Sequence, residues 1–295
     1  MTFGRRGRLV AVLAIPILVV LLVGDATPQS RTKIRYALGD VVSIDDLPLL
    51  IAVERAKARG VDVEITAFKS EEIATQAVIN GQADVGQGTP YAALEKVNVP
   101  IRFFHQLMTL QFFPIVSKEH YKSVSYVPGS QVRALALLKG TIKATILDAP
   151  NKSYVMKEAA DRFVILPLGE LKASDEALFA PTAFLEKNQA AVAVLVEELI
   201  RVARAINANP GFAVEERKRL GLLKDLPPKM EAEVLPFYEE AVQGGIFPGD
   251  GGGERAARND LEFFKLAGQI KGESPKVDDF WHFGALKAAL SKVGG

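Results

Sequence analysis

The chain has 295 residues, 48% hydrophobic and 24% charged, enough for one large or two modest domains with a substantial core. Its formal net charge is +1, and the first 26 residues hold three Arg and one Asp, which leaves 33 basic against 34 acidic residues in the rest, so the body lacks the basic footprint of a nucleic-acid or anionic-lipid binder. Cysteine is absent, which excludes disulfides, thiolate metal sites, iron–sulfur clusters, a cysteine nucleophile and a lipidated N-terminal cysteine.

The N-terminus is patterned as an export signal. "MTFGRRGR" is a basic segment, "LVAVLAIPILVVLLV" (9–23) an apolar one, and Gly24 and Ala26 are small residues placed for cleavage. The apolar run is short of the roughly 20 residues of a membrane span. Residues 1–26 are therefore expected to be a signal peptide, with an uncleaved membrane anchor as the alternative. Either places the remainder outside the cytoplasmic membrane, in a periplasmic or extracytoplasmic location.

"KIRYALGD" (33–40) alternates apolar and polar residues and ends in Gly-Asp, which predicts a strand and turn. "SIDDLPLLIAVERAKARG" (43–60) predicts a helix, with capping-box spacing at Ser43 and Asp46 and a stop at Gly60. A strand at 61–68 is followed by a helix at 70–81 with Ser70 as N-cap and two acids in its first turn. "ADVGQG" predicts a short buried strand and loop, "TPYAALEKVN" (89–98) a helix with Thr89 as N-cap, and "IRFFHQLMT" (101–109) a strand. Strands alternating with helices imply a parallel sheet with helices on both faces. "LQFFPIVSKEHYKS" (110–123) is extended and predicts a crossing to a second lobe, built from "VSYV", a helix at 130–140, a strand at 142–149, a helix at 150–162 and a strand at 163–168. "LKASDEALFAP" (171–181) predicts the return crossing. From Thr182 the pattern is helical: Val192, Leu195, Leu199, Val202 and Ile206 form one apolar face, and further helices fit 212–222, 228–243, 254–269 and 277–292. "GDGGGE" lacks the Lys-Ser/Thr of a phosphate loop and is expected to be a linker.

The two halves repeat. Ile73 to Gly81 and Val132 to Gly140 each span eight positions, and each half runs strand, turn, helix, Gly, strand, Pro, helix, strand. The first half is preceded by a strand–helix unit (33–60) that has no counterpart in the second, where only "SKEHYKS" stands. Two such lobes joined by two crossings form a cleft, and ligands of open α/β sheets bind outside the carboxyl ends of the strands. The expected organisation is 1–26 signal, 27–112 with 172–295 as the first lobe, and 113–171 as a shortened second lobe.

The segments "NGQADVGQGTPYAAL", "FFPIVSKEHYKS", "ALLKGTIKATILDAP" and "VDDFWHF", in this order, resemble the periplasmic substrate-binding proteins of ABC transporters, of the nitrate, sulfonate, taurine and thiamine-precursor type. The resemblance runs from about Lys33 to the C-terminus with one gap, where such proteins continue after "YKS" into a further strand and helix. It implies a two-lobe α/β fold, a small organic solute as ligand, an ABC permease as partner, a monomer, and no enzyme activity or cofactor. A degenerate module serving partner interaction or sensing is the alternative.

The candidate contacts follow from strand ends. Gln87, Gly88 and Thr89 lie where a strand gives way to a helix, with free amides and little side-chain bulk. Asp40 lies in the equivalent loop after the first strand. Gln111 and Phe112 open the crossing strand, with Phe112 able to stack on a ring. Asp148 ends the second-lobe strand opposite Gln87, and its carboxylate would favour a cationic or hydrogen-bond-donating group over a sulfonate or nitrate. Tyr91 and Glu176 are further candidates. His105 is expected to be a satisfied core histidine, and Asp278, Asp279 and His282 lack a fourth ligand for a metal.

Overall fold

In the computed structural model the described residues are 31–89, 101–110, 113–117, 129–165, 173–270, 273 and 275–294. The expected signal segment, the helix expected at 89–98 beyond Thr89, the "VSYV" strand, and Tyr91, Gln111 and Phe112 lie outside them. No helix among the described residues is long and apolar enough to cross a membrane.

The first sheet has the order β2-β1-β3-β8-β4. β1 (Thr32–Leu38) pairs in parallel with β2 (Val61–Ala67), Thr32 opposite Val61, and with β3 (Val85–Gly88), Tyr36 opposite Val85. β8 (Ser174–Pro181) lies antiparallel between β3 and β4 (Ile101–Thr109). The second sheet has the order β6-β5-β7, with β5 (Phe113–Ser117) antiparallel to both β6 (Ala144–Leu147) and β7 (Phe163–Ile165). The expected parallel sheet is thus corrected to a mixed one. The strands that cross between the sheets, β5 and β8, run against the strands they join. Leu110, at the end of β4, and Ala173, just before β8, are adjacent, the Leu110 N–H donating to the Ala173 carbonyl at 2.7 Å.

Helix α1 (Leu47–Ala58) follows a 3-10 turn at Ile44–Asp46, where the Ser43 N–H donates to Asp46 Oδ2 at 2.8 Å as its spacing predicts. α2 (Glu71–Ile79) starts at Ser70. Over the second sheet lie α3 (Ser130–Leu138) and α4 (Ala149–Ala159), which share with it a core of Ile115, Ala134, Leu137, Leu147, Val155 and Phe163. After α5 (Thr182–Lys187), the long α6 (Gln189–Ala208) buries its predicted face, Val192, Leu195, Leu199, Val202 and Ile206, in the main core. Arg59, just after α1, bridges Glu197 and Glu198 of α6 at 2.9 and 2.5 Å.

The C-terminal helices are more broken than expected. α7 (Gly211–Leu220) and α10 (Gly253–Leu266) stand close to their expected places. The helix expected at 228–243 is two, α8 (Pro228–Glu231) and α9 (Val234–Gln243). The helix expected at 277–292 is a 3-10 turn at Val277–Asp279, an extended stretch, and α11 (Gly284–Val293). The extended stretch has a physical cause: it adds to the edge of β4. The Phe103 N–H donates to the Phe280 carbonyl at 2.8 Å, the His282 N–H donates to the Phe103 carbonyl at 2.7 Å, and Trp281 bridges Phe103. Phe280 and Trp281 are thereby buried together with Phe103 and Phe179.

Two further expectations are corrected here. The "GDGGGE" loop is not a linker. It packs on β4, the Gln106 N–H donating to the Gly251 carbonyl at 2.9 Å, and an added Cβ at Gly251 would lie 2.7 Å from both His105 and Leu286. His105 is buried in the core, but its Nδ1 has no hydrogen-bond partner among the described residues. Burial holds its pKa down at about 3, against a smaller upward pull from Asp250. It therefore stays neutral at ordinary pH.

Candidate functional site

The carboxyl ends of β1 and β3 and the start of β8 meet at one edge of the first sheet. The expected contact Gln87 is the centre of what gathers there. It is 3% exposed and belongs to β3, as do Gly86 and Gly88, so the strand runs further than expected and only Thr89 follows it. Tyr36 donates its hydroxyl to Gln87 Oε1 at 2.5 Å. Gln87 Nε2 donates to Glu176 Oε2 at 2.8 Å and lies 3.5 Å from Asp46 Oδ1. One glutamine amide therefore ties three elements: β1, β8 and the turn before α1. That turn is held from its other side by Tyr238 of α9, whose hydroxyl donates to the Ile44 carbonyl at 2.7 Å.

The glycines here do not open the backbone to a ligand. Gly86 makes room for the Phe179 ring, 2.5 Å from where its Cβ would be, and Gly88 faces the Glu71 carboxylate. Thr89 is committed to the same carboxylate, its N–H and Oγ1 donating to Glu71 Oε2 at 3.3 and 3.4 Å. Asp40 is exposed and accepts from the Val41 N–H at 2.7 Å. Asp148 is half-buried and caps α4: its Oδ1 accepts from the Asn151 N–H at 2.9 Å and from Asn151 Nδ2 at 2.8 Å.

Five carboxylic acids line this edge: Asp45, Asp46, Glu71, Asp175 and Glu176, all half-buried. Burial raises each pKa, and the acids then raise one another. Asp46 is pushed up to about 7 by burial and by Asp45. Asp175 is pushed up to about 8 by burial and by Asp45, Asp148 and Glu71. Glu176 lies well above the carboxylate range through burial, Asp46 and Asp175. Asp45 and Glu71 are raised by burial first. No lysine or arginine among the described residues forms an ion pair with any of the five. Nor do three His, Asp or Glu side chains among the described residues converge closely enough to hold a metal ion. Asp279 of the "VDDFWHF" segment accepts from the Lys276 N–H at 2.8 Å instead.

Gln87 and Glu176 are expected contacts that fall within this cluster; Asp45, Asp46, Glu71, Asp175 and Tyr36 join them in the structure without being expected there. Asp46 and Glu71 were assigned to helix starts, where acids are common. The signal that finds them is position: "SIDD", "SEE" and "SDEA" all fall beside strand ends of one sheet.

No family model matches the chain, and no curated protein matches it. Solved structures do. A protein from Bordetella bronchiseptica RB50 is 21% identical, with 90% of this chain and 99% of that one covered and a TM-score of 0.68. The ligand-binding component of an ABC-type import system from Staphylococcus aureus is 12% identical, with 88% and 99% covered and a TM-score of 0.64. The periplasmic nitrate-binding protein of Synechocystis PCC 6803 is 12% identical, with 90% and 89% covered and a TM-score of 0.64. At these identities the likeness establishes the architecture: the chain has the periplasmic-binding-protein fold, a two-sheet α/β arrangement with a helical C-terminal region.

Proposed function

We propose that this chain is an extracytoplasmic solute-binding receptor that takes a small organic molecule with a cationic or hydrogen-bond-donating group and delivers it to an ABC permease. The observation that carries this reading is the Asp46–Gln87–Glu176 constellation, joined by Asp45, Asp175 and Glu71, at the carboxyl edge of the sheet in this fold. Half-buried acids with no basic partner among the described residues gain from an organic cation what those residues do not supply, since an opposite charge nearby favours their ionised form. The spread of the carboxylates suits an amine with several donors better than a metal ion. Nitrate, the ligand in the Synechocystis protein's name, would hold these acids in their protonated form, where an organic cation favours their ionised form.

The division of strands between two sheets supports a first lobe of 27–112 with 172–295 and a shortened second lobe of 113–171, the solute lying between them. The reading includes binding without covalent chemistry and a monomer outside the cytoplasmic membrane.

A thermal melt of residues 27–295 against a panel of amines, pyrimidines, aromatic acids, sulfonates and nitrate tests it. A ligand at about a hundred times its dissociation constant stabilises by roughly 2.7 kcal/mol, which raises the midpoint by several degrees in a chain of this size. The expected result is a shift with an amine that Glu176→Gln abolishes while the ligand-free melt stays cooperative. A shift with sulfonates or nitrate alone would refute the assigned ligand charge. A cooperative melt that no compound moves would favour an interaction module over a receptor.

A further inference from the structure

Among the described residues, the second sheet is joined to the first by little apolar packing. Its core of Ile115, Ala134, Leu137, Leu147, Val155, Ala159 and Phe163 is separate from the two clusters of the first sheet, and of α4 only Ala149 enters the main one. What meets across the gap is ionic. Lys152 of α4 pairs with Glu240 of α9, and Ser153 Oγ lies 3.3 Å from Glu240 Oε2. One and a half turns on, Lys157 pairs with Glu233, just before α9. Lys229 of α8 reaches Glu158 at 3.3 Å. The pairs run from a largely buried one, Lys152, to exposed ones.

α9 connects this strip to the site. Glu240 holds α4, whose first residue follows Asp148, while Tyr238 holds the carbonyl of Ile44, next to Asp45 and Asp46. A shift of α4 away from α9 would withdraw Asp148 from Asp45 and Asp175, whose pKa values it helps to raise. The strip thus bears on the distance between the two sides of the acidic edge.

We propose that Lys152–Glu240, Lys157–Glu233 and Glu158–Lys229 form an electrostatic latch that holds α4 against α8 and α9 without any ligand, so that the opening of the cleft is set by ionic strength as well as by solute. Salt screens exposed charges over about 10 Å at 0.1 M and about 3 Å at 1 M, so the exposed pairs weaken first. The inference rests on the fold and the ion pairs and is independent of the charge assigned to the solute.

The absence of cysteine allows a clean test. Glu54→Cys on α1 and Lys139→Cys at the end of α3 are exposed positions on the two sides, and a donor–acceptor dye pair there reports their separation. In the ligand-free protein, transfer efficiency is expected to change between about 0.05 M and 1 M salt. Glu233→Lys, at the rim, is expected to reproduce the high-salt value at low salt, and adding Lys157→Glu to restore the starting value. Each variant's far-ultraviolet circular dichroism should match the parent and its melt should stay cooperative, because both positions lie at the surface end of the strip. Efficiency that neither salt nor Glu233→Lys changes would overturn the latch. So would a change in Glu233→Lys that the compensating Lys157→Glu does not reverse.

Discussion

Gly251→Ala is expected to destabilise the protein by about 2–5 kcal/mol and to lower the melting midpoint by roughly 4–10 °C. Two costs add. Gly251 has φ +69°, a left-handed conformation that costs an ordinary residue about 1–2 kcal/mol. Its added methyl would also stand 2.7 Å from the His105 ring and from Leu286, where overpacking costs about 1–3 kcal/mol. Neither neighbour gives way easily: His105 is on a central stretch of β4, and Leu286 is 2% exposed. Gly221→Ala is the matched control. Its φ is +66° but nothing lies within 4 Å of the new Cβ, so it should cost only the backbone part. Equal losses in the two variants would show that the 248–253 loop is not packed on β4.

The ligand-free protein is expected to lose stability as pH rises from about 6.5 to about 8, on the order of 1 kcal/mol per pH unit for each buried acid still protonated, read as a fall in the melting midpoint of several degrees. The sign follows from proton binding. Asp46 at about 7 and Asp175 at about 8 hold their protons in the folded state where the unfolded chain has released them, so each step up in pH favours unfolding until the folded pKa is passed. Glu176, raised well above its usual value, acts in the same sense. Asp260 does too: fully buried, it takes the Ser174 N–H at 2.6 Å and Oγ at 3.1 Å and is pushed up to about 7. His105 acts oppositely, but only below about 6.5, where the unfolded imidazole gains a proton that the buried one refuses. The window above 6.5 is therefore set by the acids. Asp175→Asn is expected to flatten the slope there and Asp260→Asn to remove only its own share. A midpoint that rises across this window in the parent protein would mean that the carboxylates have cationic partners in solution.

The parts of the fold that were legible in the sequence are those with strong local signals. β4 falls at its expected residues because "IRFFHQLMT" is mostly apolar and follows the break at Pro100, and α6 because its apolar residues step by three and four. The misses share one cause, contact with a distant segment. Nothing local in "DFWHF" says that Phe280 and Trp281 will leave a helix to extend the edge of β4. Nothing local in "GDGGGE" says that Gly251 and Gly252 will be pressed against His105 and Gln106. The antiparallel placement of β8 depends on where the second sheet sends the chain back, not on "ASDEALFAP" itself. The site follows the same rule. Gln87 stands out in the sequence because it is a polar residue between two glycines near the end of a short apolar strand. Asp46 and Glu71 were hidden by their plausible service as helix-start acids, and only the sheet brings them to Glu176.

Native mass spectrometry of the protein isolated from its own source, without refolding, tests the central claim most directly. The predicted result is a retained small-molecule adduct that fragments as an organic amine and is lost from the Glu176→Gln variant. An adduct of a sulfonate, nitrate or other anion, retained equally by Glu176→Gln, would contradict the account.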